Sequence, residues 1–259
     1  MGRIRQSFCF PCFLRDGITL EQLIGKAARI GYAAVELWDR RQAPLDELVD
    51  LAAKNGLQIA SMSGHGTLQD GLNKLENHDR IEQELLESIE LAAELNIPGL
   101  ICFSGNREGL ADERGADNVA VGLDRVKSAA EERGINLNLE LLNSKVNHPD
   151  YQCDRTPWGV QVCRKVDSPR VKLLYDIYHM QIMEGDLIRT VQENAAHFGH
   201  YHTAGNPGRN DLDDAQEISY PAVMRAIADT GYDLYVAHEF TPRGDPLKAL
   251  EAAYQTCDV

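Results

Sequence analysis

The chain has 259 residues, of which 43% are hydrophobic and 25% are charged, a composition typical of globular proteins and not of disordered or fibrous ones. Its 26 Lys and Arg stand against 40 Asp and Glu, and the resulting net charge of −14 would repel nucleic acid and anionic membranes. The sequence contains no apolar run of about 18 residues and no visible secretory signal, so we expect a cytoplasmic protein without membrane partners.

Eight short β-rich runs follow one another along the chain. They cover residues 4–10, 33–38, 57–63, 99–104, 135–141, 171–176, 198–204 and 234–240. Segments with apolar residues at helical spacing separate them, as at Leu20, Leu23, Ile24 and Ala27. Dividing 259 residues by eight gives about 32 per unit, enough for one strand, one helix and two loops. A doubly wound sheet would also alternate, but no GxGxxG follows the first strand. We predict an α/β protein, a single (β/α)8 TIM barrel domain over residues 1–259.

The fifth predicted strand, INLNLEL, alternates polar and apolar side chains. Asn136, Asn138 and Glu140 share one face, and leucines fill the other. In a barrel, this pattern directs the leucines towards the helices and the polar residues into the lumen. Glu140 would then lie at the C-terminal mouth, where barrel active sites are built.

Four late strands each end in a side chain that can bind a metal ion. These residues are Glu140, Asp176, His202 and Glu239, at intervals of roughly one strand and helix. Three carboxylates and one imidazole suit Mn²⁺ or Mg²⁺, with Co²⁺ or Zn²⁺ as alternatives. Taken singly, each acidic residue would more often cap a helix or pair with a surface lysine. Their shared position along successive strands favours one divalent metal site.

Two cysteines, Cys9 and Cys12, have CxxC spacing at the end of the first predicted strand. A redox CxxC normally opens a helix, and no second pair completes a zinc site, so we interpret them as reduced, incidental thiols. The segment 106–118 is predicted to be a solvated loop. Trp38 and Trp158 are interpreted as packing residues, although Trp38 ends a strand and would be able to line a pocket there.

Five stretches of the sequence have the character of motifs: LELLN at 139–143, YDIYHMQIMEGD at 175–186, HTAGNPGRND at 202–211, QEISYP at 216–221 and HEFTPRGDP at 238–246. Through them the chain resembles the xylose isomerase-like barrel superfamily, in the branch of hydroxypyruvate isomerases and ketose 3-epimerases. The resemblance runs through essentially the whole chain. It implies a metal-dependent enzyme that acts on a small hydroxy-carbonyl or sugar substrate, and a homo-oligomer, either a dimer or a tetramer.

The resemblance also implies roles for individual residues. Glu140, Asp176, His202 and Glu239 match the metal ligands of the family, and Glu140 and Glu239 match its pair of acid–base glutamates. Three further residues match positions that bind the substrate or shape its pocket, namely His179, Arg209 and Glu36. His65, at the mouth of the third strand, is an additional candidate for substrate binding.

The sequence departs from the family at two positions. Ketose 3-epimerases carry a further substrate-binding Glu where this chain has Val146, and hydroxypyruvate isomerases tend to have Gln where it has His202. We expect a hydroxypyruvate isomerase-like reaction through an enediolate. A ketose 3-epimerase, an inosose-type dehydratase and a non-catalytic sugar-binding barrel remain alternatives. A DNA-repair endonuclease of the same superfamily would need more histidines and a basic face.

Overall fold

A computed structural model describes residues 2–15, 17–41 and 44–259. Strands and helices alternate along this part of the chain. The strands are β1 (Arg5–Phe8), β2 (Ala34–Val35), β3 (Gln58–Ile59), β4 (Met62–Ser63), β5 (Gly99–Cys102), β6 (Asn136–Glu140), β7 (Val171–Asp176), β8 (Phe198–Thr203) and β9 (Tyr235–His238). Among the described residues, no helix has the length and apolar character needed to cross a membrane.

The helices follow the strands. They are α1 (Phe10–Phe13), α2 (Leu20–Ile30), α3 (Leu45–Lys54), α4 (His78–Glu94), α5 (Asp112–Asp124), α6 (Lys127–Arg133), α7 (Thr156–Val166), α8 (Ile177–Met183), α9 (Leu187–Asn194), α10 (Tyr220–Asp229) and α11 (Pro246–Cys257). Short 3-10 turns cover Leu75–Asn77 and Ala195–His197.

The strands form a seven-stranded sheet in the order β1-β9-β8-β7-β6-β5-β4, and β2 pairs with β3. The pairs β1–β9, β2–β3, β5–β6, β6–β7 and β8–β9 all run parallel. Parallel neighbours need a crossover connection, which the intervening helices supply. The predicted α/β class is therefore confirmed.

The chain divides into two compact units. The first comprises Met1–Met62, Asp186–Ala195 and Tyr201–Val259. Within it, backbone hydrogen bonds join β1 to β2, for example from the Glu36 N–H to the Phe8 carbonyl at 2.8 Å. Edge-to-face contacts of Phe8 and Phe240 with Phe13 fill the space between β1, α1 and the end of β9. Aromatic packing therefore anchors the C-terminal ends of β1 and β9.

The second unit comprises Ser63–Gly185 and Ala196–His200. All five residues of β6 are buried, as expected for a parallel strand covered on both faces. The side chain of Asn138 lies beside Gly99 on β5 and Gly199 on β8, and a Cβ at either glycine would come within 2.5 Å of its amide. The two glycines thus leave room for a polar side chain on the face that also carries Glu140.

The third predicted strand, 57–63, differs from the expectation because it forms two short strands, β3 and β4. Gln58 and Ile59 pair with β2, whereas Met62 and Ser63 belong to the seven-stranded sheet. The interruption falls at Ala60 and Ser61, whose backbone still bonds to Val35 and Leu37. A change of partner along the strand, rather than a loss of extended conformation, causes the break.

The environment of the CxxC segment also differs from the expectation. Cys9 is the N-cap of α1, so the pair does open a helix, although one of only four residues. Burial raises the pKa of the Cys9 thiol, and a hydrogen bond with Cys12 raises it further. A thiol with a raised pKa is a poor nucleophile, which agrees with an incidental role. All six cysteines are free.

The segment 106–118 is only partly the loop that we expected, because α5 begins at Asp112. Before the helix, the backbone and the side chain of Arg107 both contact the segment that precedes α7. The Arg107 N–H donates to the Asp150 carbonyl at 2.7 Å, and the Arg107 guanidinium lies 2.9 Å from the Asp154 carboxylate.

Candidate functional site

The four predicted metal ligands lie at the C-terminal ends of four strands. Glu140 and Asp176 are the last residues of β6 and β7, His202 is the penultimate residue of β8, and Glu239 follows β9 directly. The parallel direction of these strands places their C-terminal ends at one edge of the sheet. All four side chains are buried.

In the first unit, both oxygens of the Glu239 carboxylate lie within hydrogen-bond distance of side-chain nitrogens. The Trp38 indole N–H donates to Oε1 at 2.7 Å. On Oε2, Arg209 Nη2 lies at 2.5 Å and His202 Nδ1 at 3.2 Å. Burial opposes ionisation of Glu239, but Arg209, His202 and Trp38 together outweigh it and lower the pKa of the carboxyl well below its usual value. Glu239 is therefore a carboxylate at neutral pH.

Glu36 lies beside the same imidazole. Its Oε1 is 2.9 Å from His202 Nε2, and neither side chain is exposed by more than 1%. Carboxylates on both sides of a ring allow one nitrogen to bind a cation while a carboxylate orients the other nitrogen. The structure thus brings Glu36, His202, Glu239 and Arg209 together, and the roles that the resemblance implies for them stay predictions.

In the second unit, Asp176 caps α8. Its Oδ1 accepts the His179 backbone N–H at 2.9 Å, and Oδ2 lies 3.7 Å from His179 Nε2. The cap fixes the rotamer of Asp176 and satisfies a backbone donor at the start of the helix. Asp176 therefore has the helix-capping role that a strand-end aspartate commonly takes, and its second oxygen still faces an imidazole.

The buried His179 ring is oriented by Asn143, a residue for which the sequence suggests no role. Asn143 Nδ2 lies 2.5 Å from His179 Nδ1. Its Oδ1 accepts the backbone N–H groups of Val146 and Asn147, which settles the orientation of the amide. Because the amide nitrogen can only donate, His179 Nδ1 is the acceptor and Nε2 carries the proton. The LELLN stretch contained Asn143, but its partner only becomes visible in three dimensions.

His65 has a different set of partners. Its Nε2 accepts the Phe103 backbone N–H at 2.8 Å, and its ring packs edge-on against the Phe103 ring. Desolvation by burial lowers the pKa of His65 to about 4, so the ring is neutral, with its proton on Nδ1. The contacts of His65 in the described residues link it to β5, and its role in substrate binding stays a prediction.

The predicted ligand set converges. One ligand atom from each of Glu140, Asp176, His202 and Glu239 lies within 4.8 Å of the others. Buried carboxylates this close would repel one another strongly without a cation. Oxygen donors with one imidazole suit a hard or borderline divalent ion. This buried cluster of acidic and histidine side chains could hold a metal ion.

Known proteins are similar to this chain over most of its length. The model of the xylose isomerase-like TIM barrel family matches residues 24–256. A putative hydroxypyruvate isomerase from Homo sapiens is 29% identical over an alignment of 247 residues, and the match covers 88% of this chain and 88% of the relative. The 2-oxo-tetronate isomerase of Pectobacterium atrosepticum is 26% identical over 228 residues, covering 84% of this chain and 85% of the relative.

Solved structures share the fold. An L-ribulose 3-epimerase superposes with a TM-score of 0.79 at 17% sequence identity, covering 97% of this chain and 92% of the epimerase. Together with the family match, this similarity confirms the predicted barrel. The curated relatives named as isomerases confirm the resemblance to that branch. The relatives support an enzyme of the isomerase type. The chain belongs to the xylose isomerase-like TIM barrel family.

Proposed function

We propose that the protein is a metal-dependent isomerase that moves a carbonyl group between adjacent carbons of a small hydroxy-carbonyl substrate. The leading reaction is the interconversion of hydroxypyruvate and tartronate semialdehyde. The observation that carries the proposal is the buried cluster of Glu140, Asp176, His202 and Glu239. The relatives named hydroxypyruvate isomerase, matched over most of their length, favour this substrate.

In this proposal, the four clustered residues hold one divalent ion, with Mn²⁺ or Mg²⁺ preferred and Co²⁺ or Zn²⁺ as alternatives. When bound, such an ion stabilises negative charge that develops on substrate oxygens. Glu36 lies against the side of His202 opposite Glu239, so it would orient the imidazole within the ligand set.

Glu140 and Glu239 form the acid–base pair. One carboxylate removes a proton from C3 of hydroxypyruvate, and the electron pair of the broken C–H bond forms the enediolate. The other glutamate, in its protonated form, delivers a proton to C2. The C3 hydroxyl loses its proton as the aldehyde forms, and the C2 oxygen gains one, so protons balance. A positioned acid or base typically contributes 10²–10⁴-fold to such a step.

Arg209, which is cationic, and His179, which can donate a hydrogen bond, are available to bind substrate oxygens. Arg209 already contacts Glu239, and its backbone adopts a left-handed conformation with φ 57°. Such a conformation is costly for a residue other than glycine and is often found at functional sites. His179 carries its proton on Nε2, which makes it a hydrogen-bond donor. His65 Nδ1–H is a further donor for the substrate.

A second candidate is isomerisation of a 2-oxo-tetronate, because a relative of that name matches 84% of this chain. This reaction uses the same proton transfer on a substrate that is one carbon longer. Epimerisation of a free ketose and dehydration of an inosose also begin with proton abstraction next to a carbonyl. The products distinguish these reactions.

The test follows each substrate by NMR in deuterated water with Mn²⁺-loaded enzyme. Carbonyl transposition with deuterium incorporation indicates an isomerase, stereochemical inversion an epimerase, and loss of water a dehydratase. We expect transposition with hydroxypyruvate. Glu140→Gln and Glu239→Gln should each lower kcat by at least about 100-fold while the variants remain folded.

The matched control is Glu90→Gln, the same chemical change at an exposed ion pair with Arg133. It should turn over at the wild-type rate. Full activity in either site variant would refute the role of that glutamate. Tight ligand binding without any exchange of a substrate C–H proton would instead indicate a non-catalytic sugar-binding barrel.

A further inference from the structure

Trp38 stands three residues after β2 and combines two features that a packing residue seldom shows together. Its side chain is 42% exposed, yet its indole N–H points at Glu239, which is only 6% exposed. The chain has one other tryptophan, Trp158, which is 8% exposed and donates to the Asp112 backbone carbonyl at 3.0 Å. Trp158 fits a packing role, whereas Trp38 does not.

The contact between Trp38 and Glu239 completes the restraint on one carboxylate. Arg209 and His202 both approach Oε2, so turning the carboxylate about its last torsion would lengthen both contacts. The Trp38 N–H at 2.7 Å from Oε1 restrains the second oxygen as well, so the same turn would also break that hydrogen bond. A hydrogen bond to a charged acceptor is about twice as strong as a neutral one, so it can hold the group against thermal rotation.

We propose that Trp38 is a positioning residue that sets the rotation of the Glu239 carboxylate for proton transfer. The inference rests on the proposed function, because it assigns Trp38 to the same acid–base glutamate. Trp38 itself transfers no proton.

The first test measures the contact without reference to activity. The two indole N–H groups of the ¹⁵N-labelled protein give two resonances, and Trp158→Phe identifies the one from Trp38. We expect the Trp38 proton to move upfield in Glu239→Gln, since the charged acceptor is lost, while the Trp158 proton stays in place. An unmoved Trp38 resonance would overturn the proposal.

The second test measures the role in turnover. Trp38→Phe keeps an aromatic ring but removes the donor, so kcat should fall about 10-fold while KM changes by less than about threefold. A merely structural ring would instead change KM, or the amount of folded protein, and leave kcat intact. Trp158→Phe is the matched control, and its kcat and KM should equal those of the wild type.

The two proposals can fail separately. If the wild-type protein exchanges no substrate C–H proton with any member of the panel, the proposed function is refuted, and the catalytic meaning of Trp38 is refuted with it. If the wild-type protein turns over and Trp38→Phe has the same kcat, only the positioning role is refuted.

Discussion

His65 and His179 were both predicted to bind substrate, and hydrogen bonds give them opposite tautomers. A backbone N–H of Phe103 donates to Nε2 of His65, whereas the amide of Asn143 donates to Nδ1 of His179. The proton therefore sits on Nδ1 in His65 and on Nε2 in His179. At the scale of single residues, the hydrogen-bond partners of an imidazole ring determine which of its nitrogens can donate a hydrogen bond to a substrate.

The neutral state of His65 predicts acid sensitivity. Its pKa is about 4 in the folded protein and near 6.5 when unfolded, so the unfolded chain binds the additional proton as the pH falls below about 6.5. The contribution of neutral His65 to the free energy of unfolding is fully present above about pH 6.5 and decreases as the pH falls towards 4. We expect a loss of about 2 kcal/mol in the free energy of unfolding between pH 7 and pH 5, measured by urea titration.

The control for this prediction is His65→Gln, which retains an acceptor for the Phe103 N–H but does not titrate. Between pH 7 and pH 5, the free energy of unfolding of this variant should fall by about 2 kcal/mol less than that of the wild type. Equal pH slopes in the two proteins would show that His65 does not cause the acid sensitivity.

At the scale of elements, each of the four clustered residues owes its position to the end of a strand. Asp176 is both the last residue of β7 and the N-cap of α8. Helix starts elsewhere use the same local chemistry. Thr19 and Gln22 form a reciprocal capping box at α2, with the Thr19 hydroxyl accepting from the Gln22 N–H at 3.2 Å and the Gln22 side chain accepting from the Thr19 N–H at 2.9 Å.

Removing this cap should destabilise the protein without affecting the site. Thr19→Ala deletes the hydroxyl acceptor, and we expect the free energy of unfolding to fall by about 1 kcal/mol. Thr19→Ser retains the hydroxyl and is the control, with a change of at most a few tenths of that value. Urea unfolding followed by circular dichroism measures both. Equal stabilities of the Ala and Ser variants would contradict the role of the cap.

At the scale of the whole molecule, negative charge dominates. The net charge is −14, and three of the carboxylates are buried within one small cluster. Folding brings these groups together against their mutual repulsion, so a bound cation should stabilise the folded chain. The homo-oligomeric state stays a prediction, which sedimentation can test.

Metal binding should therefore appear as thermal stabilisation. A ligand that binds only the folded state at about 100 times its Kd adds about 2.7 kcal/mol. For a chain of this size, we expect Mn²⁺ to raise the Tm of chelator-treated protein by about 5–10 °C in differential scanning fluorimetry. Asp176→Asn keeps a helix-capping acceptor but removes a proposed ligand, and it should lose most of the shift. A wild-type Tm that does not respond to divalent ions would contradict the metal site.

Much of the architecture was accessible from the sequence. The alternation of strands and helices follows from local periodicity, because side chains repeat every two residues in a strand and about every 3.6 in a helix. Parallel strands also place their C-terminal ends on one edge of a sheet. Glu140, Asp176, His202 and Glu239 were therefore identified as one group from strand position alone.

Other features depended on tertiary structure. The split of the third strand into β3 and β4 follows from its change of partner, which no local pattern reports. The contact of Trp38 with Glu239 joins residues 201 positions apart. The orientation of His179 depends on Asn143, 36 positions away. Periodicity determines which face of an element a side chain occupies, whereas strand register and side-chain torsions decide which distant atom it meets.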